Sequence, residues 1–372
     1  MKILNLSLLI YTILLTSIAG QDNKLNAKIT YVSTIISNEG LEKEYLFQRP
    51  TQIRIDSKDN IYITDYHGSD IRVFSITGKY LKTLGRIGNG PGEYKDVSSF
   101  YIDKKDILYI WDSGNRRITK LDRTGKVLYT KNFNKITNIY YFWEYPEYKY
   151  LVMQYSPNDG FENAFYLYDS NFDNVITSFG HSSIFFQSLD ATYDNFKTKL
   201  KVAVAKNGII FVAKEYYDGN IYRFDPNNNW EHNIITRGKD VYKNITVNIE
   251  KRLKTPPTRN YVAFGDNRSK NQVMVHVSTS SLGLMIYAQK YLINFIYQAK
   301  DNNPKNGELG IEIFDLDGKF ISYKMLDNEN ISFVSFATKI FGFDSENCFY
   351  MTGYNKNNGL PIVQKYKLLI NE

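Results

Sequence analysis

One cysteine, Cys348, and four histidines, His67, His181, His232 and His276, stand in a chain of 372 residues. A single thiol excludes an intramolecular disulfide, so the fold must be held by its core. The histidines show no i, i+4 pairing, no HEXXH and no Cys/His spacing, which excludes a zinc motif legible in sequence. Long apolar runs are also missing beyond the first residues. The one such stretch, Ile3 to Leu15, is shorter than the ~20 residues that span a bilayer, so no transmembrane anchor is expected. Charge of one sign is barely in excess: 46 Lys and Arg against 39 Asp and Glu give +7, spread over the chain. The densest basic clusters, Arg116 with Arg117 and Lys251, Arg252 with Lys254, are too short and too poor in aromatics for a nucleic-acid surface. A weak attraction to acidic glycans or cell-surface polymers fits this balance better.

What the sequence does contain is a repeat. Asp56 to Gly78 (DSKDNIYITDYHGSDIRVFSITG) and Asp103 to Gly125 (DKKDILYIWDSGNRRITKLDRTG) match in register, Asp56 with Asp103, Asp65 with Asp112 and Gly78 with Gly125. A period of roughly 40 to 50 residues built from short strands marks a propeller blade. In the first copy the strands read Thr51–Ile55, Asn60–Thr64, Ile71–Ser75 and Tyr80–Leu84, joined by tight polar turns. The second copy keeps Phe100–Ile102, Leu108–Trp111, Ile118–Leu121 and Val127–Lys131. Weaker copies begin near residues 145, 200, 285 and 335, and the total of six falls within the usual range of roughly four to eight blades. The expected class is all-β: a six-bladed β-propeller of four-stranded antiparallel blades. The alternating, β-branched stretch Ala27 to Ile36 is expected to close the ring by pairing with the last blade, because closure removes exposed sheet edges.

The pattern N-I-Y-I-T-D followed by I-R-V-F, and D-S-G-N-R-R-I-T-K-L-D in the second copy, resembles the NHL repeat. The insert Gly85 to Tyr94 (GRIGNGPGEY) resembles a loop of six-bladed propeller proteins of Bacteroidetes-type bacteria, many of them exported. The resemblance implies a ring whose centre can carry a site, since some NHL-type lyases and related lactonases hold a metal there with ligands from several blades. Their ligand motifs have no matching positions in this chain.

The first residues set the compartment. Met1 and Lys2 open a short basic start, the apolar run follows, and Ser17-Ile18-Ala19 supplies the small residues that precede a cut. Residues 1–20 read as a signal peptide and residues 21–372 as one propeller domain with insertions around 180–199 and 237–280. The chain is expected to be exported and to be periplasmic, cell-surface or secreted. No cysteine lies near the cut, so lipid attachment there is not supported.

In a four-stranded blade, the loops between second and third strands and the links between blades emerge on one face. That face takes the extra residues: Asp65–Asp70, Tyr155–Ala164 and Gln298–Gly310 as loops, with Gly85–Asp96, Gly180–Lys199 and Arg237–Ser280 as links. Long loops on a rigid scaffold commonly carry binding function. Within Arg237–Ser280, Val247–Leu253 is expected to form a short helix or turn, stopped by Pro256-Pro257. The candidate ligand-binding residues are Arg49, Arg86, Tyr94, Arg116, Trp143 and Tyr216, and the partner is an unknown protein, peptide or glycan met by a monomer. The alternative is a metal-assisted hydrolase or lyase at the central channel. No cofactor and no metal ligand set can be named from sequence, and a divalent metal at the channel belongs to that alternative alone.

Several conspicuous residues read as structural. Asp65 and Asp112 occupy one blade position, where a carboxylate can accept backbone N–H groups. Gly88, Gly90 and Gly92 do not follow a Rossmann strand or open a helix, and Pro91 interrupts them. Cys348, within NCFYM, is expected to be a buried, inert thiol.

Overall fold

The computed structural model describes residues 25–37, 42–133, 139–146, 149–154, 162–185, 200–215, 217–237, 261–264, 273–276, 279–300, 303–325, 338–355 and 358–371. Six four-stranded antiparallel sheets follow one another, spanning 50–84, 97–132, 139–181, 200–236, 279–325 and 339–371. The sixth is completed by Asn26–Ile36, which pairs antiparallel with Pro361–Asn371 along its whole length. Both the six-bladed propeller and the closing strand expected from sequence are therefore present. Residues 1–24, where the leader was read, lie outside the described residues.

Each blade is mostly strand because its apolar residues alternate or run together, and each blade buries both sheet faces. The second strand of blade two, Leu108–Asp112, is buried at every position. The interior is not one core but six, each at an interface between adjacent blades. Tyr62 and Ile71 of blade one meet Phe100 and Ile110 of blade two, while Tyr350 and Val363 of blade six meet Ile53 and Ile63 of blade one. Four comparable clusters fill the remaining interfaces. Any blade removed would expose two of these cores.

The recurring aspartates explain themselves in the turns. Asp56 Oδ1 accepts the N–H groups of Lys58 and Asn60 at 2.9 and 2.8 Å, and its Oδ2 accepts the Tyr62 hydroxyl at 3.2 Å. Asp103 does the same for Lys105, Ile107 and Tyr109, and Asp344 for Glu346, Cys348 and Tyr350. An aspartate three residues before a left-handed position thus closes the turn between first and second strands, and Asp59, Asp106 and Asn347 take that position with φ of +60°, +61° and +61°. The turns between third and fourth strands use the same device. In blade two, Asp122 accepts from Thr124 and Lys126 while Gly125 supplies a φ of +97° that a side chain would resist.

One expectation about the insertions changes. Gln298–Gly310 is not a loop: Tyr291–Lys300 and Asn303–Asp315 continue as a long paired ribbon, Gln298 opposite Glu308. Blade topology places a loop there, between second and third strands, but an antiparallel pair can carry both strands further because each satisfies the other's backbone groups. In the link to blade five, Tyr261–Phe264 pairs with Val273–His276 as a two-stranded hairpin and not as a seventh blade. The helix expected over Val247–Leu253 lies outside the described residues. The link to blade four begins with a single helical turn, Ser182–Phe185, which buries Phe185 against Phe165.

Candidate functional site

Topology places the loops after each second strand and the links between blades on one face, here called upper. On blade one the segment before the first strand is tied to the end of the second by Asp65. Its carboxylate accepts the N–H groups of Gln48, Arg49 and Tyr66 at 2.8, 2.7 and 2.9 Å. This fixes Arg49 beside Tyr66, with the guanidinium 3.6 Å from the ring centre. Tyr66 in turn lies against His67, ring centres 3.9 Å apart, and all three residues are exposed or partly so. His67 takes a left-handed φ of +53° and brings Nδ1 within 3.8 Å of Asp96 Oδ1 in the next blade's link.

Asp96 also accepts the Ser113 hydroxyl at 2.6 Å. The order is hydroxyl, carboxylate, imidazole, with the acid in the middle. Nucleophile activation needs the imidazole between the other two, so this chain of groups orders the surface and sets no base against Ser113.

Asp112, at the position equivalent to Asp65, is fully buried and accepts N–H groups from Lys95, Asp96 and Asn115, each at 3.2 Å. Both recurrent carboxylates therefore serve backbone groups, as their repeat position implied. Beside Asp112 lies Arg117, largely buried, whose guanidinium donates to the carbonyls of Asn89 at 2.7 Å and Gly90 at 2.9 Å and to that of Glu93. These bonds fasten the Gly85–Tyr94 insert. Glu93 adds a bond from the Gly90 N–H at 2.8 Å and a two-pronged pair with Arg86, and these hold its carboxyl below the usual range, the Gly90 N–H first. The close approach of the Tyr94 ring, 2.6 Å from where a side-chain carbon would stand on Gly85, requires glycine there.

The six residues singled out from sequence are thus placed in four settings. Arg49, Arg86 and Arg116 are exposed, Arg86 at 80% and Arg116 with a left-handed φ of +52°. Tyr94 is wholly buried within the core between blades one and two, so it packs and has no surface to offer a ligand. Its aromatic character within a charged loop made it look exposed, whereas the insert folds back over it. Trp143 does not join the upper face but lines the channel. Tyr216 lies outside the described residues. Sequence reasoning did not select Tyr66 and His67; the signal available was the D-Y-H-G turn at the end of the second strand, which carries an aromatic where blade two has Ser113.

The second concavity is the channel itself, a cavity of about 390 Å³ lined by first strands of all six blades. Its cations are Arg54, Lys201 and Lys339, and its aromatics are Tyr101, Trp143, Phe341 and Phe343. Among the described residues no Asp, Glu, His or Cys lines it. Among the described residues, the one group of acidic and thiol ligands drawn together elsewhere, Asp344, Glu346 and Cys348, is already met by the buried ammonium of Lys365, 2.8 Å from Asp344 and 3.4 Å from Glu346. Burial disfavours that ammonium's charge, but the Asp344 hydrogen bond and charge outweigh it and raise its pKa. A cation is built into the site, and Cys348, pushed up to about 11 by burial and then by Asp344, keeps its proton.

Comparison with known proteins adds the following. A family model described as a 6-bladed beta-propeller, DUF5128, matches residues 41–234. A Bacteroides fragilis protein described as exported is 13% identical, with a TM-score of 0.54 over 95% of this chain and 97% of its own. A DUF4221 member of Bacteroides vulgatus is 12% identical, with a TM-score of 0.57 over 93% and 99%. The PQQ-bound aldose sugar dehydrogenase of Streptomyces coelicolor is 10% identical, with a TM-score of 0.50 over 93% and 99%. At these identities the likeness is one of fold. No curated protein matches the chain.

Proposed function

The chain belongs to the DUF5128 family of six-bladed β-propellers, and on that footing we propose that it is an exported, noncatalytic binding propeller whose upper face at blades one and two takes an acidic glycan. The observation that carries this reading is the Arg49–Tyr66–His67 stack, held in place by Asp65 with no cost to the exposed faces of the three side chains. Guanidinium groups match carboxylate and sulfate oxygens two at a time, and an aromatic beside them adds a surface for a sugar ring. Arg116 extends the positive surface over the neighbouring turn, and Arg86, exposed and paired to Glu93, offers its remaining donors beside the insert.

Two supports come from outside the stack. No helix among the described residues is long and apolar enough to cross a membrane, and the leader-like first residues, with a fold relative described as exported, agree with export. The channel contains no His or carboxylate among its described lining residues, so the hydrolase or lyase reading gains nothing from the geometry.

Retention on immobilised polygalacturonate tests the reading. Wild type is retained at low ionic strength and released as salt screens the surface charges, over a range set by a Debye length of about 10 Å at 0.1 M. The triple variant Arg49→Ala, Arg86→Ala, Arg116→Ala elutes early with an unchanged melt. Passage of wild type straight through at low salt sinks the proposal.

A further inference from the structure

The channel continues below the cavity already described, and this continuation is separate from the groups on which the preceding reading rests. We infer that the junction of the two cavities is a site for an uncharged, flat aromatic compound.

The lower cavity, of about 450 Å³, shares Leu284, Met285, Gly342 and Phe343 with the first, of about 390 Å³. Each volume falls within the roughly 300–1,000 Å³ of small-ligand pockets. The passage between them is open at Gly342. Its φ is not left-handed, and a side-chain carbon built there would meet no atom of the described residues within 4 Å. Neither backbone geometry nor a packed neighbour therefore requires glycine. The first strand of blade six also stops short beside it, at Phe341, whereas those of blades one and two run on to Ile55 and Ile102, directly before their turns. A glycine that neither turns the chain nor admits another backbone leaves space that a ligand can take.

The walls at this level are unequal. Asp56, Asp103, Ala205 and Asp344 each donate their N–H to the carbonyl four residues on, at 3.1, 3.0, 2.9 and 2.9 Å. Tyr145 and Tyr287 pair with Lys149 and Tyr291, also four residues on, so the six positions are equivalent. Two residues before them stand Arg54, Tyr101 and Trp143 on blades one to three, and Ala203, Met285 and Gly342 on blades four to six. Every one of these lines one cavity or the other. In a ring of six, blade three stands opposite blade six, so Trp143 lies across the channel from the gap at Gly342. Bulk on one side and its lack on the other leave a slot. An aromatic ring placed there gains from the Tyr101 and Trp143 rings and the Met285 sulfur, and displaces water from Leu284 and Phe343.

Charge decides the class of ligand. Among the described residues lining the lower cavity none is charged, and its polar side chains are the carboxamides of Gln289 and Asn347, exposed at the mouth. The cations of the channel, Arg54, Lys201 and Lys339, each have a partner within the protein, for Arg54 the Ile53 carbonyl at 2.9 Å and for Lys201 the Glu215 carboxylate at 3.1 Å. A charged ligand would lose its hydration at the junction without meeting a free counter-charge. A neutral polar group at the mouth can exchange hydrogen bonds with the two carboxamides. The turn that carries Gln289 is itself strained: Ala288 and Gln289 take φ of +49° and +56° in succession, where the equivalent turns of blades one, two and six use a single left-handed residue. Such strain is kept where it sets a functional surface.

Fluorescence titration of the chain without residues 1–20 tests the site. The probe is N-phenylnaphthylamine, a neutral aromatic amine whose emission rises in apolar surroundings, and its charged counterpart is anilinonaphthalenesulfonate. The neutral probe binds; the sulfonate binds at least about tenfold more weakly, because its charge has no free counterpart there. Gly342→Phe places a ring in the junction and weakens the neutral probe by at least about tenfold, since a filled space admits no second occupant. Its melt stays at or slightly above that of wild type, as expected for a glycine replaced where the backbone is unstrained. If Gly342→Phe does not fold, Gly342→Leu carries the comparison. The triple upper-face variant binds the probe as wild type does, so failure of the glycan reading and failure of this one are separable. Absence of enhanced emission, unchanged affinity in a folded Gly342 variant, or a sulfonate bound as tightly as the neutral probe each overturns the inference.

Discussion

Ser345 and Asp59 are joined across the closure of the ring. The Ser345 N–H donates to Asp59 Oδ1 at 3.0 Å and its hydroxyl to Oδ2 at 2.5 Å, between residues 286 apart in sequence. The same clasp recurs one blade on, where the Ser57 N–H and hydroxyl donate to Asp106 at 2.8 and 2.7 Å. The carboxylate of each clasp sits at the left-handed position of its own turn, so one aspartate shapes a turn and grips the preceding blade.

Asp59→Gly separates these two duties, because glycine keeps the left-handed backbone and deletes the grip. A loss of about 1 kcal/mol is expected for the hydrogen bonds alone, and Asp59→Ala should lose roughly 1–2 kcal/mol more through backbone strain. Urea denaturation of the two variants beside wild type measures both quantities. Equal loss in the two would remove the strain argument.

Deleting residues through Ile36 should cost far more than deleting residues 1–20. The longer deletion strips the partner of Pro361–Asn371, uncovers a sheet edge and removes the buried apolar residues Ala27, Ile35 and Ile36 from the core. A synthetic peptide spanning 25–37, added to the shortened protein, should restore its melting temperature in a concentration-dependent way. An equal melt for the two truncations would show that the strand closes nothing.

Arg117 and Arg86 divide the insert between stability and surface. Arg117→Ala leaves Asp112 buried beside three carbonyls without their donor and should lower stability by about 3 kcal/mol. Arg86→Ala, at a side chain 80% exposed, should change the melt by no more than about 0.5 kcal/mol while reducing retention on polygalacturonate. Thermal melts of the pair read the contrast directly. A destabilised Arg86→Ala would assign that residue to the scaffold.

Cys348 should be unreactive in the native state. Its thiol is buried and holds its proton more tightly folded than unfolded, so the stabilisation is complete at neutral pH and is lost as pH rises from about 9 through about 11. A coloured disulfide reagent at pH 8 should label the thiol at the rate of unfolding and quickly in denaturant. Rapid native labelling would show that the strand Cys348–Tyr354 opens far more easily than its pairing on both sides suggests.

The fold was legible because each blade carries its own turn chemistry. Asp56, Asp103 and Gly125 mark turns by local rules, and the strands between them follow from short apolar runs. The closing strand was readable for the same reason, as an alternating segment with no partner of its own. The upper-face stack was half legible: Arg49 was among the candidate residues, but nothing local ties it to Tyr66, which depends on the bond that the Arg49 N–H donates to Asp65. The channel cations were not legible at all. Arg54, Lys201 and Lys339 sit in three different blades, in innermost strands where alternate residues face neighbouring blades, and only the ring brings them together. Tyr94 misled in the opposite direction, because a polar, glycine-rich neighbourhood conceals a residue folded inward.

The partnership of Asn26–Ile36 with Pro361–Asn371 has a consequence in time. The ribosome makes one partner more than three hundred residues before the other, and between those moments the early strand has nothing to pair with. Blades one to five can form as they emerge, but the circle stays open until Pro361–Asn371 has been made. A product cut short by premature termination therefore keeps two raw edges, at blade one's neighbour and at the final blade, and these are the features by which a protease or a chaperone tells an unfinished chain from a finished one.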